Sequence, residues 1–477
     1  MKLIVQHIGI IEESLIELNG LTILTGKNNS GKTTVGKILY SLVDGMNDLT
    51  RNYRLDRERF IYRKLAEVAS SSDAIHQLVM LEGDEKDDIL ADYPLLRSFI
   101  HEEFLNENQY FNVETYAAGL LKELEQIKQW VSSGGTKYVL VSAFYQGKDN
   151  LKFEEAFQRQ TENAIRVLKK MFENLEQDSD LMKYARARIN QIMRKEFMGQ
   201  IQPAQGCEED SGIELEDEGT ECVKLTIRNN EIVEDGKPVH YASVRKAYFI
   251  DDPFVLDGKM MTSNQPQNRF GFINKEERVL DSSAILTHRN RLAVQIRNYE
   301  ETSPFEQMIL DQNLKDVREK LNGIVPGSYE FTNAGDYYVE NGVRLRMSNL
   351  ATGSKLFSII RILLDQGELN EKTLLILDEP EAHLHPEWKN EFAEVIALLV
   401  KELGVKVLLT THSASFVMAI DAFVRKYELA QVTHFYQTKM AETGNDRFEC
   451  ADDHLGDVYQ EFLDYLAEAK ALRDQYL

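Results

Sequence analysis

The segment Gly26-Lys-Asn-Asn-Ser-Gly-Lys-Thr33 places two glycines, a lysine and a threonine at a spacing that suits a polyphosphate. Gly26 and Gly31 tolerate backbone angles that other residues resist. The amides of Asn28, Asn29, Ser30, Gly31 and Thr34 can therefore turn toward one anion. The Lys32 ammonium would reach the outer phosphates of a nucleoside triphosphate such as ATP, and the Thr33 hydroxyl would ligate Mg2+. The loop follows an apolar run, Leu21–Leu24, that predicts a short buried strand. It precedes Val35, Ile38, Leu39, Leu42 and Val43, whose spacing predicts a helix with its positive end at the same point.

A second group of chemical residues lies far downstream. Four leucine and isoleucine residues, 374–377, predict a buried strand that delivers Asp378 and Glu379 at its C-terminal end, where ligands bind in open α/β sheets. Asp378 is placed to hold the Mg2+ shell, and Glu379 to orient and deprotonate an attacking water. A helix over Pro386–Leu403, a strand over Val405–Leu409 and Thr410-Thr-His-Ser413 follow. Strand, helix, strand is a βαβ unit and implies parallel pairing.

Taken together, Gly26–Thr33, Leu350–Lys355, Leu374–Pro386 and Thr410–His412, in this order, resemble the ABC-type ATPase heads. The nearest likeness is to the SMC-like and OLD-like prokaryotic ATPases, whose nucleotide domain is interrupted by a helical insertion. The resemblance implies an α/β P-loop head with a mixed sheet split by such an insertion, Mg-dependent ATP hydrolysis, and a homodimer or higher homo-oligomer bridged by ATP. It assigns Leu350-Ala-Thr-Gly-Ser-Lys355 to the signature segment. There Gly353, Ser354 and the start of the next helix, with Lys355, would serve the nucleotide of a second subunit, and Ala351 stands where the family has serine. It also assigns Ala382-His-Leu-His385 to the segment between subunits, with His385 where aspartate is usual. His412 becomes the switch histidine on the γ-phosphate. A glutamine-bearing loop should follow a strand such as Lys246–Ile250, yet Asp251-Asp252 stand there. His383 and His385 with Glu381 also invite a metal-site reading.

The elements that must position these residues fall at both ends of the chain. Residues 1–50 read as the N-terminal part of the head, with strands over Lys2–Val5, Ile8–Ile11 and Ser14–Leu18. Residues 51–205 carry apolar positions at helical spacing, such as Phe60, Leu65 and Val68, then Leu120, Leu124 and Ile127, and predict a helical insertion with breaks at Ser132–Gly135 and Gln177–Asp180. Residues 206–260 hold an acidic run, Glu208–Glu221, that reads as a solvated loop, and then a hairpin turning at Asn229-Asn230. Residues 261–345 read as a helical and β lobe with paired strands Ser328–Phe331 and Tyr337–Arg346, and 346–477 as the C-terminal part of the head.

Composition narrows the role. The chain has 477 residues and a formal net charge of −23, so the bulk surface should repel nucleic acid; DNA binding is open but not indicated by charge. Cys207, Cys222 and Cys450 suit a reducing cytoplasm. No apolar run is long enough to span a membrane, and the N-terminus reads as an amphipathic strand. The chain resembles the ATPase partners of phage-defence systems of the Septu and PARIS kind. That likeness implies a sensor, scaffold or regulatory subunit for a separate effector, a nuclease or toxin. The alternative, an SMC-like DNA-repair or chromosome-clamp ATPase, predicts a long coiled coil and a basic DNA surface, neither of which the sequence displays. A built-in TOPRIM or HNH nuclease finds no matching pattern, and a transporter head would be shorter.

Overall fold

The structure is a computed structural model. It describes residues 1–71, 75, 93–100, 112–130, 132, 150–177, 180–203, 210–233, 242–257, 285–297, 314–332, 335–440 and 446–475. The chain forms two compact units, one of Met1–Leu49, Met182–Ser263 and Ala284–Leu477, the other of Thr50–Leu181 and Asn264–Ser283.

In chain order the elements begin with strands β1 (Lys2–Ile8), β2 (Ile11–Glu17) and β3 (Leu21–Thr25) and helix α1 (Lys32–Met46). Helices α2 (Leu49–Ser70), α3 (Pro94–Ile100), α4 (Val113–Trp130), α5 (Asn150–Gln177) and α6 (Leu181–Glu196) follow. Next come β4 (Ser211–Asp217), β5 (Thr220–Arg228), β6 (Glu231–Ile232), β7 (Lys246–Ile250), α7 (His288–Arg297) and α8 (Lys315–Ile324). The last part holds β8 (Ser328–Thr332), β9 (Gly335–Glu340), β10 (Val343–Arg346), α9 (Thr352–Asp365), β11 (Thr373–Asp378) and α10 (Pro386–Leu403). It ends with β12 (Lys406–Thr411), α11 (Ala414–Lys426), β13 (Thr433–Met440), β14 (Asp446–Cys450) and α12 (Leu455–Gln475).

The first unit is α/β, built on an 11-stranded mixed sheet ordered β6-β5-β4-β1-β2-β14-β13-β3-β12-β11-β7. At one end β13, β3, β12, β11 and β7 run parallel. At the other, β2, β1, β4, β5 and β6 are antiparallel. The alternation of side chains across each parallel strand sorts them onto two cores. Leu21, Ile23, Leu375, Leu377 and Leu409 face the core that contains α9, α10 and α11. Leu24, Ile376 and Leu408 face the core that contains α1 and α6. Helices α1 and α9 therefore lie on opposite faces of the sheet.

Three readings of the sequence need correction. The acidic run is not a loop: residues 211–217 and 220–228 are paired strands within the large sheet, Ile213 opposite Leu225 and Leu215 opposite Val223. Ile213 and Leu215 point inward and are buried while Glu214 and Glu216 take the other face, so the period of two overrides the carboxylate count. The three N-terminal strand segments are two strands, because the chain reverses at Gly9-Ile10 with Gly9 at φ +58. Tyr337–Arg346 is likewise two strands, folded at Asn341-Gly342, with both residues at positive φ. The breaks at 133–135 and 178–179, and Cys207, lie outside the described residues.

The second unit is helical among its described residues. Ile61, Leu65 and Val68 of α2, Phe99 of α3, Leu120 and Leu124 of α4, and Leu168 and Met171 of α5 form its core. The N-termini of α3 and α4 are satisfied by polar side chains. Glu123 accepts from the amides of Leu95 and Leu96, and Asn112 accepts from those of Glu114 and Thr115. Among the described residues no helix is long and apolar enough to cross a membrane.

Candidate nucleotide site

The phosphate loop sits between the fully buried strand β3 and α1, at the C-terminal end of the parallel strands. Its glycines have specific causes. Gly26 has φ +149, and an added Cβ would lie 1.8 Å from Thr438 Oγ1 on β13. Gly31 has φ +85 at the start of α1, where a Cβ would lie 2.7 Å from Ile11. Asn29 adopts φ 63, an angle that asparagine tolerates better than most residues. Lys27, Asn28 and Asn29 are exposed, Ser30 is buried, and Thr33 and Thr34 are half-buried. Lys32 is buried and donates to the carbonyls of Gly26 at 3.1 Å and Lys27 at 2.7 Å. Burial lowers its pKa, against the pull of Glu379 and Asp378.

Strand β11 brings the carboxylates to this loop. The Thr33 hydroxyl donates to Asp378 Oδ2 at 2.7 Å, a contact between residues 345 apart in sequence. Burial raises the pKa of Asp378, partly offset by hydrogen bonds from Thr410 and Thr33. Glu379 Oε1 lies 3.7 Å from Lys32 Nζ, and its Oε2 lies 3.2 Å from His412 Nδ1. Glu379 itself has φ 50 and ψ 46, a left-handed backbone that costs a bulky residue on the order of 1–3 kcal/mol. Its amide donates to the carbonyl and hydroxyl of Thr410, at 3.1 and 3.0 Å, which hold that conformation.

The sequence reading gave Thr410 no role of its own and Glu381 only a metal-site reading with His383 and His385. The Thr410 hydroxyl donates to Asp378 Oδ1 at 2.5 Å while accepting from the Glu379 amide, so it spaces the two carboxylates. Glu381 is buried, accepts from the Thr411 hydroxyl and the His412 amide, and has one carboxylate oxygen buried without a hydrogen-bond partner among the described residues. Burial raises its pKa. The signal for Thr410 was its place at the end of a strand beside β11; for Glu381 it was an acid after Pro380.

The signature residues lie apart from this cluster, at the start of α9. Gly353 abuts Trp388, where a Cβ would come within 2.8 Å of the ring. Ser354 is half-buried, and Lys355 is buried with its ammonium 2.5 Å from Asp257. The structure thus gathers Gly26–Thr34, Asp378, Glu379 and His412 in one place and sets Gly353, Ser354 and Lys355 in another. Asp251 directly follows β7, whose last residue, Ile250, lies beside Leu377 of β11, and it pairs with Arg289 at 2.7 Å and His288 at 3.1 Å. His383, His385 and Glu381 do not form a metal cluster: none of three or more ligands occurs among the described residues.

Residues 8–417 match the family described as AAA ATPase domain. The chain belongs to that family. As an AAA ATPase domain it is a nucleotide-binding α/β protein. No curated protein matches the chain. Among solved structures it is similar to an SMC head domain from Thermotoga maritima, at 10% identity over 94% of this chain and 97% of that one, with a TM-score of 0.34. It is similar also to the Smc head domain with a coiled coil and joint from Pyrococcus yayanosii, at 13% identity over 98% and 99%, with a TM-score of 0.33.

Proposed function

We propose that this ATPase domain hydrolyses Mg-ATP in a site completed by a second copy of the chain, and that the nucleotide-bridged assembly regulates a separate effector, a nuclease or toxin, in a bacterial anti-phage system. The observation that carries the hydrolytic part is Glu379, set between Lys32 at 3.7 Å and His412 at 3.2 Å. The residues present fit a magnesium ion, since a hydroxyl and a half-buried carboxylate, Thr33 and Asp378, meet at 2.7 Å beside the phosphate loop. Thr33 and Asp378 would hold Mg2+, which neutralises charge on the phosphate oxygens.

The chain's own groups do the rest. Lys32 exchanges its two carbonyl partners for phosphate oxygens. Glu379 accepts a proton from water as the water oxygen bonds to the γ-phosphorus and the bond to the β–γ bridging oxygen breaks. His412 donates to the γ-phosphate and leaves Glu379 free to act. Amides at the start of α9, offered by the second copy, add positive partial charge on the far side. The placement of α1 and α9 on opposite faces of one sheet supports this two-copy arrangement.

The net charge of −23 supports the regulatory reading over a DNA clamp, because a clamp gains affinity by neutralising phosphates. The test uses Glu379→Gln protein expressed with its native gene neighbours and purified in Mg-ATP. A stoichiometric partner with nuclease or toxin chemistry, identified by mass spectrometry, supports the effector reading. Copurified DNA with no protein partner transfers the assignment to the SMC-like clamp.

A further inference from the structure

The signature lysine does not face solvent. Lys355 is 1% exposed, and a buried ammonium is costly unless paired. Its partners are Asp257 Oδ1 at 2.5 Å, the Ser348 carbonyl at 3.0 Å, and the ring face of Phe254 at 4.9 Å. Asp257 and Phe254 both belong to the loop that leaves β7, which continues through a 3-10 turn at Pro253–Leu256. The near end of that loop is Asp251, beside the end of β11 that carries Asp378, and held by His288 and Arg289 of α7. The far end is held by Lys355 of α9. Between them, Phe254 packs edge-on against His383, 6.1 Å between ring centres, in the segment that follows Glu379. One short loop thus touches the neighbourhood of the chain's own nucleotide and the start of the helix meant for the other copy's nucleotide.

We propose that Lys355 is a positioning residue: its ammonium, through Asp257, ties the first turn of α9 to the loop leaving β7, so that the amides at Gly353 and Ser354 are aimed at a second copy according to the state of the first copy's own site. This rests on the two-copy reading above. It replaces direct contact between Lys355 and nucleotide with an effect transmitted through the orientation of α9. Asp257 is the discriminating partner. It is 30% exposed and lies on a loop outside the nucleotide cluster, and in Asp257→Asn the amide oxygen can still accept from the buried Lys355 ammonium, so that variant removes the charge without leaving the ammonium bare.

The experiment uses the full chain with Glu379→Gln as parent. Asp257→Asn, Lys355→Met, Lys355→Arg and the Asp257→Asn/Lys355→Met double variant are compared by sedimentation velocity in Mg-ATP. Affinity of the monomer for a fluorescent ATP analogue is measured on Asp257→Asn. The expected result is that Asp257→Asn binds the analogue within about twofold of the parent, while its ATP-induced dimer dissociates about tenfold more readily. The double variant should be no worse than either single, because both remove one tie, and Lys355→Arg should restore most of the dimer. With Glu379 intact, Asp257→Asn should lower kcat and leave KM for ATP nearly unchanged. If Lys355→Met loses the dimer while Asp257→Asn keeps it, the ammonium contacts nucleotide directly and the proposal falls. If both dimerise like the parent, the tie is idle and the proposal falls alone. A parent that stays monomeric in Mg-ATP overturns the two-copy reading, and this proposal with it. Should Lys355→Met not fold, Asp257→Asn decides.

Discussion

Glu379 is held in a backbone conformation it would not choose, within reach of one cation and one imidazole. In the proposed mechanism it is the residue whose loss is most specific to hydrolysis. Glu379→Gln is expected to lower kcat by roughly 10²–10⁴, the usual contribution of a positioned general base, with ATP still bound. Steady-state hydrolysis together with equilibrium binding checks this, and a variant turning over at the wild-type rate removes the base assignment. Thr410 is a subtler case. Its hydroxyl serves Asp378 and the Glu379 amide at once. Thr410→Val keeps the shape and removes both bonds, and a lost charge-assisted bond of about 1.5–3 kcal/mol is enough for a tenfold or larger fall in kcat. The fall should appear in kcat more than in ATP affinity, since Thr410 does not belong to the phosphate loop.

Among elements, α1 shows how the loop's helix is fitted to the sheet. Gly36 faces the strands, and a Cβ there would stand 3.1 Å from both Ile376 and Phe249. Neither neighbour has room to yield: Ile376 is fully buried on β11, which is paired on both sides, and Phe249 stacks on His288 at 4.3 Å. Gly36→Ala gains helix propensity of about 1 kcal/mol, yet overpacking of roughly 1–3 kcal/mol outweighs it. Gly323 in α8 has open space around its Cβ position, so Gly323→Ala should stabilise by about 0.5–1 kcal/mol. Thermal unfolding of the two variants should therefore shift in opposite directions. The same elements show what the sequence disclosed. The helix Pro386–Leu403 was readable to the residue because Pro386 opens it and Gly404, at φ +63, closes it. The strand under Asp378 was readable because it is buried on both faces. Strand β4 was not, since its surface glutamates conceal a buried alternate row. That Lys32, Asp378 and Glu379 would meet could be inferred from local motifs. The partner of Lys355 could not, because nothing in the sequence near either residue marks Asp257 as its counter-charge.

At the scale of the first unit, a buried charge cluster fixes how stability depends on pH. His288 Nδ1 lies 2.6 Å from Glu196 Oε2, its amide donates to Glu196 Oε1 at 2.7 Å, and Nε2 faces Asp251. Tyr40 and Phe249 pack on the ring, and Arg289 shares Asp251. Burial alone would lower the pKa of His288, but Asp251 and Glu196 outweigh it and raise it to about 9. Burial would raise Asp251, but His288 and Arg289 hold it at about 2. A histidine raised on folding stabilises fully below its unfolded value of 6.5 and ceases to as pH climbs through about 9. A carboxylate lowered on folding contributes above its unfolded value of 3.8 and loses that contribution as pH falls through about 2. Stability should therefore decline from pH 6.5 to 9, and His288→Gln should flatten that decline. Melting temperature measured across this range in both proteins checks it, and parallel curves would remove His288 as the cause.

The strand order also governs when the protein can first work. β3, which ends in the phosphate loop, lies between β12 and β13 in the sheet. It emerges from the ribosome well before both of its neighbours, which lie far downstream in the chain. At about 5–20 residues per second, roughly 20–80 s separate the emergence of β3 from that of β13. During that interval a strand with no exposed residue in the native sheet has no sheet to join. Until β12 and β13 emerge, the phosphate loop lacks the two strands that flank β3, and the chain is expected to be most exposed to misassembly before that moment.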